Sequence, residues 1–243
     1  MDVFYPDTSL CEGVRLIESL SGETKSTMAL EEEELLQENI QELLSLLACV
    51  KNNSNEVEVE NCMHLLADSL DDEVDVDTEL LERKQAHLTV LDVMRSHETS
   101  HKIQLHSCFV LHRFVELNPR VQSELQERKA HRDILKMMKL HSNKMNQVIG
   151  CKMLSALCTS TRMRSLALDS RAVDFVLSAM SYFGEDEEFY IPAFEALTQL
   201  LRDDPSAQED LINMEEKKPP RKKYRIVVET MEKFAKSGKI DCL

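Results

Sequence analysis

Along most of the chain, apolar residues recur every three or four positions and the residues between them are charged or polar, the spacing of a helix with one buried face. Residues 35–50 carry it plainly: Leu36, Ile40, Leu43, Leu44, Leu47 and Val50 fall on one side of a predicted helix. The same reading predicts helices over 57–70, 103–114, 147–157, 190–200 and 227–234. In the stretch QVIGCKMLSAL, residues 147–157, Val148, Cys151, Leu154 and Leu157 step down one face, yet Gly150 interrupts the pattern. A glycine inside a helix costs roughly 1 kcal/mol relative to alanine, so this place calls for a missing side chain.

Internal repetition supplies a reason. Shifted by 43 residues, the chain falls on itself: Leu91, Ile134 and Leu177 align, as do Met94, Met137 and Met180, then Leu111, Leu154 and Leu197, then Leu125, Leu168 and Leu211. Asn118, Thr161 and Asp204 coincide as helix N-cap types, with Pro119 and Pro205 behind two of them at the first helical position. Ser107 and Ala193 take the place of Gly150, and three small residues there let a long inner helix lie close against another helix, backbone contact replacing the side chain. Residues 57–70 extend the array at a shift of 46, and residues 227–234 extend it at a shift of 51. The organisation expected is a helical repeat domain over 31–243 of about four to five units, with an acidic loop at 71–79 and a basic loop at 217–225. Residues 1–30 are expected to be poorly ordered apart from a short helix over 10–20.

Composition agrees with an all-α chain, since five glycines and six prolines leave little for turns and 42% apolar content suffices for a core. Lys and Arg number 29 against 44 Asp and Glu, a net charge of −15 that would repel a phosphate backbone and sets nucleic acid aside as a general partner. Without a basic and apolar leader or a long apolar run, the chain reads as soluble and cytoplasmic. It has seven cysteines and no CxxC, and Cys49, Cys62, Cys108, Cys151 and Cys158 lie on apolar helical faces, which predicts reduced core thiols. No cofactor is expected.

The inner-helix segments IQLHSCFVLHRF (103–114) and QVIGCKMLSAL resemble the third helix of an armadillo repeat, V-Q-x-x-A-A-x-x-L-x-x-L, and YIPAFEALTQL (190–200) follows it more loosely. Within that class, VLDVMRSHETSHKIQL, HRDILKMMKLHSN and GCKMLSAL resemble the armadillo region of the leucine-rich-repeat kinases of the Roco group, most clearly over residues 80–202. The resemblance implies an armadillo-like right-handed α-solenoid of three-helix repeats that does no chemistry, and docks a protein partner, a small GTPase of the Rab type. The leucine-rich repeats, the G-x-x-x-x-G-K-[ST] loop and the kinase signatures of that group are not in this sequence.

The armadillo pattern aims two positions of each third helix into a concave groove: Met63 and Ala67, Phe109 and Arg113, Lys152 and Ala156, Glu195 and Gln199, with Glu116 and Arg202 one turn on. Phe109 beside Arg113 is the most anchor-like pair, because aromatic and arginine side chains dominate binding energy once desolvated. Importin-type grooves hold basic peptides on a ladder of asparagine and tryptophan, and this chain has no tryptophan.

Three other motifs carry possible chemistry. HETSH, His97 to His101, satisfies the H-E-x-x-H pattern of zinc hydrolases, with Glu98 as the general base, provided both histidines share one face of a helix. Residues 71–82 space carboxylates like a calcium loop, but Val76 stands where the sharp turn needs glycine. The basic run KKPPRKKYR, 217–225, is similar to a nuclear-import patch and gives the alternative of a nuclear adaptor; in each case a solvated turn or loop is the simpler account.

Overall fold

The computed structural model describes residues 45–46, 48–50, 55–70, 82, 84–183, 186–202, 204–206 and 208–209. The expectations for 1–30, for the acidic loop 71–79, for the basic loop 217–225 and for a helix at 227–234 fall outside those residues. Among the described residues the regular elements are all helical: α1 (Glu56–Asp68), α2 (Ala86–Ser96), α3 (His101–Leu117), α4 (Pro119–Glu127), α5 (Ala130–Leu140), α6 (Lys144–Leu157), α7 (Thr161–Asp169), α8 (Ala172–Phe183) and α9 (Glu187–Leu201).

Local chemistry sets where the helices begin. Asn118 accepts from the Arg120 amide at 2.9 Å with Pro119 at the first turn, and Asn143 accepts from the Asn146 amide at 3.0 Å. Asn55, Ser100, Ser160 and Asp186 cap α1, α3, α7 and α9 in the same way, each satisfying an amide that the helix leaves unpaired. Thr161, expected as a cap, is instead the first residue of α7, and Ser160 does the capping. The second helix of each layer starts differently: Gln85, Lys129 and Arg171 precede α2, α5 and α8 with φ of 55°, 58° and 62°, left-handed backbone held without a glycine.

The long helices α1, α3, α6 and α9 pack one on the next, while α2 covers α3, α5 covers α6 and α8 covers α9. The result is an armadillo-like helical repeat solenoid, with a core running from Val50 to Leu200. Third helices keep the 43-residue register: the caps Ser100, Asn143 and Asp186, the small residues Ser107, Gly150 and Ala193, and Leu111, Leu154 and Leu197 all coincide and the last two sets are buried. A slip of one residue there would turn the buried face by about 100° away from two neighbours at once.

The outer helices do not keep that register. Ala86, Ala130 and Ala172 open α2, α5 and α8, so Leu91 corresponds to Leu135 and Met94 to Met138, not to the Ile134 and Met137 expected from the sequence. A polar tie confirms it: the Gln104 side-chain amide donates to Met94 O at 2.5 Å, the Gln147 amide to Met138 O at 2.6 Å, and the Tyr190 hydroxyl to Met180 O at 3.3 Å. Likewise the buried counterpart of Leu125 in α7 is Ala167, with Leu168 only half-buried. The connections absorb these one-residue differences.

What presses on Gly150 is therefore a side chain of its own layer. A β-carbon there would lie 2.6 Å from Met138 Cγ and 2.9 Å from its Sδ, closer than real β-carbons come. The expected close approach is present, but Met138 of α5 makes it, and not the backbone of another helix. Cys108 and Cys151 are wholly buried, and burial pushes both thiols far above the ordinary range; Cys158 is pushed up to about 12 by the same cause.

Candidate protein-interaction face

Because the third helices pack side by side, their outward residues form one face. Phe109, Lys152 and Glu195 lie 43 residues apart on α3, α6 and α9. Phe109 is half-buried and packs on the core, whereas Lys152 and Glu195 are exposed. The row beside them is apolar, with Leu105 and Val148 half-buried, Ile191 38% exposed and Met145, one turn before Val148, 54% exposed.

Met63 does not belong to this face. It is fully buried, and Ala67 is buried with it. The buried residues of α1 match those of α3 at a spacing of 44, not 46: Val59 with Ile103, Met63 with Ser107, Leu66 with Val110, Ala67 with Leu111, Leu70 with Phe114. Two residues of slip rotate a helix by about 200°, enough to exchange inside and outside. The α1 residue in the place of Phe109 is Leu65, which is 50% exposed.

Arg113 is held in place by the solenoid itself. Its Nε donates to Leu70 O, two residues past the end of α1, at 3.0 Å, and its guanidinium pairs with Glu116 at 2.8 Å. His112 also reaches Glu116, at 3.4 Å. Burial holds the His112 imidazole below its usual pKa; Glu116 opposes the shift, while Lys152 and Arg113 add to it. Nearly two turns back, the rings of His64 and His106 stack at 4.9 Å with 9° between their planes, and burial first, then His64, lowers the pKa of His106. Lys102 on α3 pairs with Glu60 on α1 at 2.6 Å.

The α9 end of the face is acidic. Lys144 of α6 bridges to Asp186 at 3.0 Å and to Glu188 at 2.5 Å, and these contacts raise its own pKa and lower that of Asp186. Glu195 stands exposed beyond them and Arg202 is exposed past the end of α9. Gln199 is half-buried, its Oε1 without a partner among the described residues.

HETSH does not share one helix. His97 ends α2, and His101 opens α3, with Ser100 capping between them. Glu98 pairs with Lys136, and its carbonyl accepts from His141 Nε2 at 2.8 Å, so the motif ties the α2–α3 turn to α5. Among the described residues no group of three or more His, Cys, Asp or Glu gathers to hold a metal.

Sequence reasoning missed Leu65 and the stacked histidines because the register of α1 was two residues off. It also passed over Gln104 and Gln147, whose signal was legible: an amide in an apolar stripe, repeated after 43 residues.

No helix among the described residues is long and apolar enough to cross a membrane. Neither a curated protein nor a solved structure matches the chain. The model of the LRRK2 ARM repeat family matches residues 41–241, most of the sequence. ARM repeats stacked in this manner form a helical module suited to holding other proteins. The chain belongs to the LRRK2 ARM repeat family.

Proposed function

We propose that the chain is a non-catalytic scaffold whose repeat domain, residues 31–243, docks a protein partner in the cytoplasm, and that this partner is a small GTPase of the Rab type, the class implied by the kinase-family resemblance. The observation that supports this is the row Leu65, Phe109, Lys152 and Glu195 beside the apolar row through Val148 and Ile191. Apolar anchors edged by one cation and then one carboxylate fix both affinity and orientation, since the anchors are desolvated while the rim charges select the partner. Arg113, spent on Leu70 O and Glu116, keeps α1 and α3 together beneath that row.

The test is calorimetric titration of the chain with Rab-type GTPases loaded with a non-hydrolysable GTP analogue. The double variant Leu65→Ser, Lys152→Glu is expected to weaken binding at least about tenfold while leaving the melting temperature within about 2 °C of the parent. Equal affinity of variant and parent removes the row from the interface. Failure of every such GTPase to bind removes the GTPase and leaves the partner to be sought elsewhere.

A further inference from the structure

The Cys62 thiol donates to Cys49 Sγ across 2.9 Å, a closer approach than two unbonded sulfur atoms ordinarily make. Both residues are half-buried and so open to a small solute, unlike Cys108, Cys151 and Cys158. The segment before α1 docks through Leu46 and Val50, which pack on the core, and that docking brings Cys49 against the first turns of α1. We propose that Cys49 and Cys62 are a modification site, a dithiol that a hydroperoxide oxidises to a disulfide joining the preceding segment to α1.

Cys49 is the attacking sulfur. Cys62 is held protonated by burial, by its hydrogen bond to Cys49 and by the charges of Cys49 and Glu58, which push its pKa up to about 11. The Cys49 thiolate attacks one oxygen of hydrogen peroxide, the O–O bond breaks, and hydroxide leaves and takes up a proton as water. The sulfenic acid formed on Cys49 is then attacked by the Cys62 sulfur, whose proton departs with the sulfenic hydroxyl as a second water. Two thiols are oxidised by two electrons, one peroxide is reduced by two, and a thiol reductant restores the starting state. A disulfide needs the sulfurs at about 2.05 Å, so closure asks for less than 1 Å of movement, within reach of side-chain rotation.

Peroxide treatment of the full chain, followed by alkylation and peptide mass mapping, tests this. The expected product is an intramolecular Cys49–Cys62 link, two hydrogens lighter than the parent and reversed by dithiothreitol. It should form at least about tenfold faster than loss of the Cys108, Cys151 and Cys158 thiols, in line with their burial. In Cys62→Ser the Cys49 sulfenic acid should persist and be trapped by dimedone. Oxidation of Cys49 straight to the sulfinic acid in the parent overturns the proposal, as does a link from Cys49 to Cys11, to Cys242 or to a second chain. A Cys62→Ser variant whose Cys49 gives the same products as the parent overturns it too.

Discussion

The α4–α6 layer and the α7–α9 layer are built on one plan and filled differently. Gln147 and Tyr190 both donate into the last turn of their second helix. Gly150 and Ala193 occupy the same buried place on the third helix. At the second residue of α5 stands His131, fully buried with neither ring nitrogen partnered among the described residues, and at the same position of α8 stands Val173. The α2 counterpart, His87, is equally buried but bonds Glu124 at 2.7 Å, and the α7 residue in the place of Glu124 is Leu166. The third helices thus fix the frame, and each layer settles its own packing and polar accounts. The α4–α6 layer carries a site with no room for a β-carbon and an orphaned imidazole, both of which its neighbour lacks.

Writing the alanine of one layer into the other should have the largest effect. Gly150→Ala gains about 1 kcal/mol of helix preference but drives a β-carbon into Met138, and overpacking of this kind costs about 1–3 kcal/mol. Net destabilisation of up to about 2 kcal/mol is expected in urea unfolding. In a Met138→Ala background the same change should reverse sign and stabilise, because the nearest contact left, with the flexible end of Met137 at 3.2 Å, yields by a small shift into the space vacated. If Gly150→Ala is equally costly in both backgrounds, Met138 is not what the glycine makes room for.

Much of this frame was legible in the sequence, and where it was not, the cause is local. Third-helix register is carried by isolated apolar and small residues, Ser107, Gly150 and Ala193 among them, which admit a single alignment. In the outer helices apolar residues come in adjacent pairs, Ile134 with Leu135 and Met137 with Met138, so a shift of one residue still aligns apolar with apolar. The run Leu166, Ala167, Leu168 is ambiguous in the same way. In α1, Met63 and Leu65 are of similar hydrophobicity, and only the contacts with α3 tell which is inside. Cross-layer ties such as Arg113 with Leu70 O or His87 with Glu124 depend on helix placement in three dimensions, which no periodicity encodes.

The histidine difference comes next in size. Burial, then repulsion from Arg132, with Lys129 adding and Asp133 opposing, holds the His131 pKa below its ordinary value. The unfolded chain takes up a proton near pH 6.5 while the folded chain does so only at lower pH. Its contribution is therefore whole above about pH 6.5 and is lost as pH falls from there toward the folded pKa. His131→Leu, which follows the apolar choice of Val173, should stabilise by about 1 kcal/mol near neutrality by removing an unpaired buried polar group. The gain over the parent should widen between about pH 6.5 and pH 5, as followed by urea midpoints. A constant gap across that range would mean that His131 does not titrate on unfolding.

The smallest effect expected separates the two layers at their left-handed residues. Lys129 and Arg171 both hold φ near 60°, where a β-carbon crowds the following carbonyl by about 1–2 kcal/mol, partly offset by the smaller freedom of a non-glycine residue in the unfolded chain. Lys129→Gly should then stabilise by about 0.5 kcal/mol. Arg171→Gly should give less, because the Arg171 Nε also bonds Asp174 at 2.7 Å in the first turn of α8, an exposed pair worth a few tenths of a kcal/mol. Thermal unfolding of the two single variants side by side reads this order. A greater gain at Arg171 than at Lys129 would show that the bond to Asp174 adds nothing, and that the two turns differ in backbone strain and not in side-chain contacts.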